Sequence, residues 1–415
     1  MKKSFKLLTI ASAIAAVSQG AYANEAADIA EAIKEGKATL NFRLRYEDVE
    51  QDVNGGSDKD ADAITLRTRL TYQTADYKGF SGLIEMDDVT EIGSVDYNTA
   101  PNDSSHPDAA IIADPEGTEV NQSWIAYTYK DNTVKYGRQR ILLDNQRFVG
   151  GVGFRQNEQT YDALSFTSKA ITDTEIFVAH VTRVNRIFGE DSSLGDHDNS
   201  TNLVNVSYKG LPIGKLTGYY YDIDNEDVAI MSTQTAGLRL AGKADNFGYT
   251  FEYASQSDAH DNTRSYDADY YLLEGTAKLG DFNFKLGHEV LGADDNDGYF
   301  ITPLATLHKF QGWSDKFLNK GVGNISGGLT DTYASVGTKL GDVKLSLVYH
   351  QIAADDDSVA GTDSYGSEYG FVVASKVGPV GLSLKYANFS EDVDSTALTQ
   401  VTDTNKLWLT ASAKF

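Results

Sequence analysis

Arginine pairs separated by a single residue occur twice in the first part of this 415-residue chain. Arg43 and Arg45 form one pair, and Arg67 and Arg69 form the other. Residues two apart in an extended strand project from the same face. A guanidinium group presents its N–H donors in a fork that matches a carboxylate. The spacing therefore predicts a strip of carboxylate-binding groups along one face of neighbouring strands.

A second basic stretch runs from Tyr136 to Asp162 and carries several arginines with few acids beside them. Gly150, Gly151 and Gly153 permit tight backbone bends within it. Its side-chain amides can hydrogen-bond hydroxyls as well as carboxylates. The candidate solute-binding residues of this stretch are Arg138, Gln139, Arg140, Arg147, Arg155 and Asn157. If the loop folds inwards, it would form a basic constriction able to bind carboxylates and hydroxyls.

These residues lie within or between segments in which apolar and polar side chains alternate, the pattern of a half-buried strand. Clear examples are Leu40–Tyr46, Phe247–Tyr253 and Val343–Tyr349. We count about eighteen such segments, with sixteen as the alternative, of the ~10-residue length found in transmembrane barrels. The predicted fold class is all-β: a transmembrane antiparallel β-barrel.

The links between these segments alternate in length. Short links such as Gly280–Asp281 and Gly341–Asp342 carry the residues of tight turns. Long links such as Glu91–Gly117 and Ala293–Gly328 lie between them. Short periplasmic turns and long extracellular loops are typical of outer-membrane barrels. Aspartates concentrate in the long loops, where we favour plain solvation over divalent cation binding.

Residues opposite the apolar set of each strand are predicted to line a lumen. The basic members are Arg43, Arg45, Arg67, Arg69, Arg138, Arg239, Lys285, Lys344 and Lys385, and the acidic members are Glu85, Asp87, Glu252, Glu274 and Glu289. Rings of Arg and Lys are the usual device of anion-selective pores. The alternatives are a charge ladder that neutralises itself and, in the basic loop, pairing of Arg147 and Arg155 with Asp144 and Glu158 that only maintains the loop's shape.

The composition restricts the class of protein. A net charge of -24 disfavours a nucleic-acid partner, which needs a basic surface. The absence of cysteine excludes disulfides, thiolate chemistry and cysteine-based zinc sites. The mean hydropathy of -0.36 resembles that of a soluble protein, but only alternate residues of a barrel strand face lipid. The 24 tyrosines and 18 phenylalanines fit interfacial aromatic girdles.

Both ends of the chain indicate export to an outer membrane. Three lysines precede the apolar run Leu7–Val17 and a small-residue cleavage site, so residues 1–23 are predicted to be a signal peptide. The run is too short for the ~20 residues of a membrane anchor. Residues 24–36 are predicted to be a short periplasmic segment with an amphipathic helix, and residues 37–415 the barrel. The last strand points Phe415 outwards and Trp408 towards the lumen.

Several short motifs resemble those of the alginate-export (AlgE-like) porin family. They are Gly137-Arg138-Gln139, Asp144–Gly150, Arg155-Gln156-Asn157 and Thr160-Tyr161-Asp162, together with a first strand at Asn41–Glu47. The resemblance implies an outer-membrane channel that passes anionic polyuronates or related oligosaccharides. Nothing in the sequence shows an accompanying export machine, so uptake and general diffusion stay open.

The functional interpretation is a porin for passive passage of anionic or polyhydroxylated small solutes, located in the outer membrane of a Gram-negative bacterium. Its expected partners are membrane lipid, lipopolysaccharide and the solutes, and homo-oligomer formation is left open. The alternatives are a weakly selective general diffusion porin, a barrel enzyme or a surface adhesin. The seven histidines are scattered without a His-x-x-x-His spacing, so we predict no catalytic site, no metal and no cofactor.

Overall fold

The computed structural model describes residues 22–53, 58–93, 96–101, 106–295, 297–393, 398 and 401–415, with side chains from residue 27 onwards. Most of the predicted signal peptide lies outside these residues, so its cleavage stays a prediction. Within the described residues, no helix combines the length and the apolar character needed to cross a membrane.

Eighteen antiparallel strands form one closed sheet, in which each strand pairs with the next along the chain. The strands are β1 (Lys37–Gln51), β2 (Lys59–Gln73), β3 (Phe80–Glu91), β4 (Gly117–Tyr129), β5 (Asn132–Gln139), β6 (Thr160–Ser168), β7 (Thr174–Asn185), β8 (Asp196–Leu211), β9 (Gly214–Ile223), β10 (Thr233–Ala244), β11 (Phe247–Asp258), β12 (Asp267–Leu279), β13 (Phe282–Leu291), β14 (Leu329–Leu340), β15 (Val343–Ala353), β16 (Ser364–Val377), β17 (Val380–Glu391) and β18 (Thr404–Lys414). The pairing of β1 with β18, from Asn41 opposite Lys414 to Gln51 opposite Thr404, closes the barrel. The predicted fold and its favoured strand count are confirmed.

Eight short turns lie at one end of the barrel and nine longer loops lie at the other. Five of the loops matter below: L2 (residues 92–116), L3 (140–159), L4 (186–195), L7 (292–328) and L9 (392–403). L7 contains a two-residue ladder, Ala293–Asp294 with Gly298–Tyr299, and two short 3-10 helices, Leu307–Lys309 and Asn319–Gly321. The remaining helical segments among the described residues are α1 (Tyr22–Lys34), α2 (Asp357–Ala360) and the 3-10 turn Ala229–Met231. The predicted alternation of short and long links is confirmed.

Helix α1 lies at the short-turn end of the barrel. The N–H of Ala75, in the turn after β2, donates to the carbonyl of Ala32 at 3.0 Å. The hydroxyl of Tyr72 donates to the carbonyl of Ile33. Tyr72 shares a face with Leu70, which is exposed on the outer wall of the barrel. The C-terminal end of α1 is therefore attached to the barrel rim.

The packed apolar core lies inside the barrel, where inward side chains of the strands meet side chains of the loops. Outward side chains such as Ile125 and Leu286 are 64% and 63% exposed, as a lipid-facing wall requires. Inside, Phe148 of L3 packs 5.9 Å from the ring of Phe300 in L7 and 5.2 Å from Tyr270 of β12. Aromatic pairs of this kind contribute about 0.5–1.5 kcal/mol each beyond their buried area. The core thus attaches L3 and L7 to the inner wall.

Candidate functional site

L3 crosses the lumen from one wall to the other. Its residue Phe148 packs in the core against β12, whereas Gln156 reaches the opposite wall. The amide Nε2 of Gln156 donates to Oγ1 of Thr65 on β2 at 2.8 Å. Its Oε1 accepts from Nε of Arg43 on β1 at 2.8 Å. The inward fold of this loop agrees with the sequence prediction, and the loop narrows the lumen between these walls.

A close approach between L3 and L7 requires a glycine at position 150. The N–H of Gly150 donates to the carbonyl of Leu304 at 2.8 Å, and Val149 forms an isolated parallel bridge with Leu304. A Cβ on Gly150 would lie 2.3 Å from Oγ1 of Thr306. The two loops therefore pack backbone against backbone, which any larger side chain would prevent.

Arg43 and Arg67 lie directly opposite each other on β1 and β2. Arg43 donates to the carbonyl of Gly153 at 2.9 Å and also to that of Arg155. Arg67 donates to Oδ1 of Asn41 at 2.8 Å. Among the described residues, neither arginine forms a salt bridge with a carboxylate. The wall that L3 touches therefore carries two positive charges without a carboxylate partner.

Arg69 and Arg140 belong to a neutralised network beside this pair. Arg69 binds Asp87 at 2.6 and 2.5 Å and Glu158 at 2.5 Å. Arg140 binds Glu158 at 2.8 Å and contacts Glu85. Burial alone would raise the pKa of Glu158, but hydrogen bonding from Arg140 and the charge of Arg69 lower it to about 2. Here the predicted self-neutralising charge ladder is observed.

Arg45 lies one position further along the inner face of β1. Its guanidinium carbon lies 4.2 Å from the centre of the Phe154 ring, and Nη1 lies 3.6 Å from Oδ2 of Asp114 in L2. Arg45 is only 3% exposed. This arginine therefore supports the tip of L3 and has little surface left for a solute.

Arg147 holds L3 to the far wall. It is completely buried, and its Nε donates to Oε1 of Glu289 on β13 at 2.8 Å. Its guanidinium carbon also lies 4.7 Å from the centre of the Phe310 ring in L7. The predicted alternative that Arg147 pairs with Asp144 is wrong, because Asp144 instead binds Lys215 at 3.0 Å. The role suggested by that alternative, maintenance of loop shape, fits Arg147 nonetheless.

Arg155 holds the other end of L3. Its Nη1 lies 2.8 Å from Oε2 of Glu47 on β1, and its Nη2 lies 3.4 Å from Oδ2 of Asp315 in L7. Pairing with Glu158 was the sequence-based alternative, and it is wrong because Glu158 binds Arg69 and Arg140 instead. Arg155 therefore joins L3 both to the wall and to L7.

Arg138 does not line the lumen, so that prediction is wrong. Residues two apart on a strand share a face, and Tyr136 on the same strand is 66% exposed on the outer wall. Arg138 therefore points outwards, where it pairs with Asp162 at 2.9 Å. Gln139 does point inwards, but it is buried and donates to the carbonyl of Ala163 at 3.0 Å. Asn157 is also buried, at 4% exposure.

The remaining predicted basic residues lie lower on the inner wall, towards the short turns. Arg239 pairs with buried Glu252, and Lys285 pairs with Glu274 at 2.7 Å. Lys344 is exposed at the start of β15. Lys309 of L7 joins this group and donates to the carbonyl of Asn145 at 2.8 Å. Burial and the charges of Lys285 and Arg239 lower the pKa of Lys309.

A cluster around His308 of L7 was missed at the sequence level. Nδ1 of His308 lies 2.7 Å from Oδ1 of Asp315, and Nε2 lies 2.7 Å from Nζ of Lys385. The ring stacks on Phe154 of L3 with centroids 3.9 Å apart. Burial lowers the pKa of His308 to about 3, so the imidazole is neutral at pH 7. Trp408 lies beside it, 1% exposed, and its predicted inward orientation is confirmed.

The sequence carried one signal for this cluster. L7 contains many apolar and aromatic residues for a solvated loop, among them Phe300, Leu304, Phe310, Trp313 and Phe317. Such content indicates a buried segment.

No metal site is apparent in the part of the chain that the structure describes. These residues contain no group of three or more His, Asp or Glu side chains arranged to hold an ion.

Comparison with known proteins identifies the family of this chain. A family model described as "Alginate export" matches residues 37–285 of the chain, which is more than half of its length. The chain belongs to the alginate-export family. The family and the barrel are those of porin channels, and they imply the outer membrane of a Gram-negative bacterium. No curated protein sequence matches the chain.

Solved structures with the same fold include proteins of two bacteria. Acinetobacter baumannii OccAB2 is 17% identical with a TM-score of 0.71, covering 92% of this chain and 98% of that one. Pseudomonas aeruginosa OccK3 (OpdO) is 13% identical with a TM-score of 0.67, covering 93% and 97%. Pseudomonas aeruginosa OpdK, solved with vanillate, is 12% identical with a TM-score of 0.65, covering 92% and 99%. At these identities the likeness establishes the fold of this alginate-export family member.

Proposed function

We propose that this protein is a passive outer-membrane channel for small solutes that carry carboxylate groups. The observation that carries the proposal is the opposed pair Arg43 and Arg67, which have no carboxylate partner at the level where L3 narrows the lumen. A guanidinium group has five N–H donors. The contacts of Arg43 use three of them, so two remain for a solute. Arg67 is only 6% exposed, so it contributes its positive charge rather than a direct contact.

The charge around L3 supports the same proposal. Around L3, six arginines and three lysines lie close to six acidic residues. The arginines are Arg43, Arg45, Arg67, Arg69, Arg140 and Arg155, the acids Glu47, Glu85, Asp87, Asp114, Glu158 and Asp315, and the lysines Lys316, Lys385 and Lys406. Glu368, which accepts from the backbone N–H of Ser314 at 2.8 Å, is a seventh acid in this group. Nine basic residues therefore face seven acids, although the whole chain carries a charge of -24. Basic side chains lining a narrow passage favour anions.

The family name and one structural neighbour are compatible with carboxylate solutes. The family is described by the export of alginate. Alginate is a polyuronate with one carboxylate per sugar. The neighbour OpdK was solved with vanillate, which is also a carboxylate. We propose carboxylate-bearing solutes for this chain on that basis, with uronates among them. The outward apolar wall would contact lipid, and its loop end would contact lipopolysaccharide.

A weakly selective diffusion porin is the second candidate. The neutralised network of Arg69 and Arg140 with Glu85, Asp87 and Glu158 favours it, because paired charges contribute little net field. We propose no enzymatic activity, since the buried histidine His308 holds loops together and belongs to no nucleophile or metal site among the described residues.

Reversal potentials in planar bilayers separate the two candidates. In a salt gradient, the wild-type channel is expected to prefer anions, and the double variant Arg43→Gln, Arg67→Gln to lose most of that preference. Arg183→Gln is the matched control, because Arg183 lies on the outer rim, exposed and paired with Asp196 and Asp198. Cation preference in the wild type, or an unchanged potential in the double variant, would overturn the proposal.

A further inference from the structure

A cavity of about 400 Å³ lies at the long-loop end of the barrel, between L2, L3, L4 and L7. Its volume lies at the lower end of the ~300–1,000 Å³ that ligand pockets usually have. Val152 and Arg155 of L3 and His308 of L7 contribute to its lining. The cavity therefore lies against the two loops that narrow the lumen.

Four buried cations line this cavity, and two of them, Arg155 and Lys406, bind Asp315. Arg186 of L4 is 9% exposed and contacts His197 at 3.3 Å and the carbonyl of Lys320 at 3.4 Å. Lys316 of L7 is 6% exposed, and its Nζ donates to Oγ1 of Thr402 at 3.1 Å and of Thr404 at 2.7 Å. Within the described part of the chain, neither Arg186 nor Lys316 forms a salt bridge with a carboxylate.

The acid nearest to Lys316 along the chain is already shared. Asp315 also lines the cavity, but it binds Arg155 at 3.4 Å, Lys406 at 3.0 Å and His308 at 2.7 Å. A buried charge is costly unless a partner compensates it. The uncompensated positive charges of Arg186 and Lys316 therefore favour the binding of an anion in the cavity.

The other walls of the cavity are mostly apolar. Side chains from four loops form them, namely Ile111, Val152, Ile187, Phe188, Leu307 and Leu318. Gln51, Gln159, Ser314 and Asn319 also line the cavity and could bind an isolated hydroxyl. A ring with hydroxyls on several sides would still place some of them against the apolar side chains, where their hydrogen bonds to water are lost without replacement. An apolar group placed there would instead gain from leaving water. The walls thus favour a ligand with few hydroxyls.

We propose that this cavity is a capture site for small monocarboxylates with a largely apolar body, in which Arg186 and Lys316 bind the carboxylate. The site deepens the proposed function and rests on it, because a captured acid would stand at the entrance to L3 and the arginine pair below. Uronates, with several hydroxyls on each ring, would bind this site more weakly. Lys316 has a further property that suits this role: burial lowers its pKa to about 7, so a bound anion would favour its protonated form.

Isothermal titration calorimetry on the detergent-solubilised barrel tests the site without any measurement of transport. Hexanoate and phenylacetate are the apolar probes, galacturonate is the hydroxylated probe, and inorganic phosphate tests for simple anion binding. We expect the apolar acids to bind at least tenfold more tightly than galacturonate or phosphate. Equal or tighter binding of galacturonate or phosphate, both to the wild type and to the Arg43→Gln, Arg67→Gln double variant, would overturn the assigned ligand class.

Variants then test the residues. Arg186→Gln and Lys316→Gln are each expected to weaken hexanoate binding at least tenfold, whereas Arg186→Lys keeps the charge and should retain part of the affinity. Phe188→Asn should narrow the gap between hexanoate and galacturonate. The controls are Arg183→Gln and Lys339→Gln, both of which change exposed cations outside the cavity. Unchanged hexanoate affinity in both Arg186→Gln and Lys316→Gln would refute the site, and the controls show whether a loss is general.

The two proposals fail in different experiments. If hexanoate does not bind but the wild-type channel still prefers anions in bilayers, only the capture site is lost. If hexanoate binds as expected but the double variant of Arg43 and Arg67 keeps the wild-type reversal potential, the arginine-guided channel is lost and the cavity remains a binding site.

Discussion

Arg147 of L3 and Glu289 of β13 form an ion pair at 2.8 Å inside the barrel, where both side chains are almost completely buried. The two residues are 142 positions apart in the chain. Glu289 also accepts from the hydroxyl of Tyr270 at 2.7 Å and contacts Gln311 of L7. This pair therefore attaches both inward loops to one point of the wall.

Loss of Arg147 is expected to destabilise the protein strongly. Arg147→Ala leaves Glu289 as a buried charge without its cation, and such changes typically cost about 3–5 kcal/mol. The double variant Arg147→Met, Glu289→Gln removes both charges and should cost less. The free energy of unfolding in urea, measured on the barrel refolded in lipid vesicles, reports the difference. Arg183→Ala breaks only an exposed pair and should change stability by about 0–1 kcal/mol. A loss for Arg147→Ala no larger than this would contradict the assigned role.

Gly150→Ala is expected to separate L3 from L7. The added Cβ would lie 2.3 Å from Oγ1 of Thr306, 2.8 Å from Cβ of Gln146 and 3.0 Å from the backbone nitrogen of Thr306, so neighbouring atoms on both loops must shift. Single-channel recordings should then show larger current fluctuations than the wild type. Gly275→Ala is the matched control, because a Cβ there meets nothing within 4 Å. Similar recordings from both variants would mean that the loop contact does not steady the lumen.

Glu158→Gln should shift selectivity in the opposite direction to the loss of Arg43 and Arg67. The substitution removes the carboxylate that Arg69 and Arg140 share, so the lumen gains net positive charge. The reversal potential in a salt gradient should move further towards the equilibrium potential of chloride. Because the pKa of Glu158 is about 2, acidification of the wild type to pH 4 should not reproduce the effect through this residue. A shift towards cation preference would contradict the observed network.

Arg138→Gln should leave selectivity unchanged although it removes a predicted lumen arginine. Arg138 points outwards and pairs with Asp162 at 2.9 Å, so its charge is separated from the passage by the barrel wall. The reversal potential of the Arg138→Gln channel should match that of the wild type within experimental error in the same bilayer assay. A loss of anion preference as large as that of the Arg43, Arg67 double variant would show that this arginine faces the pore.

Hexanoate affinity should fall as the pH rises from 6 to 8.5. Burial and the charge of Lys406 lower the pKa of Lys316 to about 7, whereas Asp315, Asp403 and Asp52 act against this. Lys316 is therefore charged below pH 7 and loses its proton above it, which removes one carboxylate partner. The effect on folding stability has the opposite sign. Between pH 7 and the ordinary lysine pKa of 10.5, Lys316 binds more protons in the unfolded chain than in the folded protein. The destabilisation caused by burying Lys316 therefore lessens as the pH rises. Calorimetric titrations across this range, with Lys316→Gln as the variant that should show a flat profile, measure the first effect.

The barrel could be predicted from sequence because its signals are local. Alternation along β1 places Arg43 inwards and Leu44 outwards, and the same rule applied to β18 places Trp408 inside. The incorrect prediction for Arg138 assigned it to the face opposite Val134 and Tyr136, although all three residues have the same parity and alternation therefore places Arg138 outside. One slip of a single residue reverses the face of every side chain.

The arrangement of the loops could not be predicted in the same way. Arg147 binds Glu289 rather than an acid in its own loop, and this choice depends on contacts between distant segments. L7 enters the lumen because Phe300 and Phe317 need burial, but nothing local indicates which wall they reach. The partners of the loop arginines were therefore missed, although the inward course of L3 was expected from its glycines and arginines.

The cluster around Lys385 gives the protein a built-in optical reporter. The chain has three tryptophans, and two of them, Trp313 and Trp408, have rings centred 4.0 and 5.0 Å from the ammonium nitrogen of Lys385. Trp313 belongs to L7, whereas Trp408 belongs to the wall. Displacement of L7 would separate the first indole from this cation and expose it to water, so fluorescence emission would follow the loop without any attached dye.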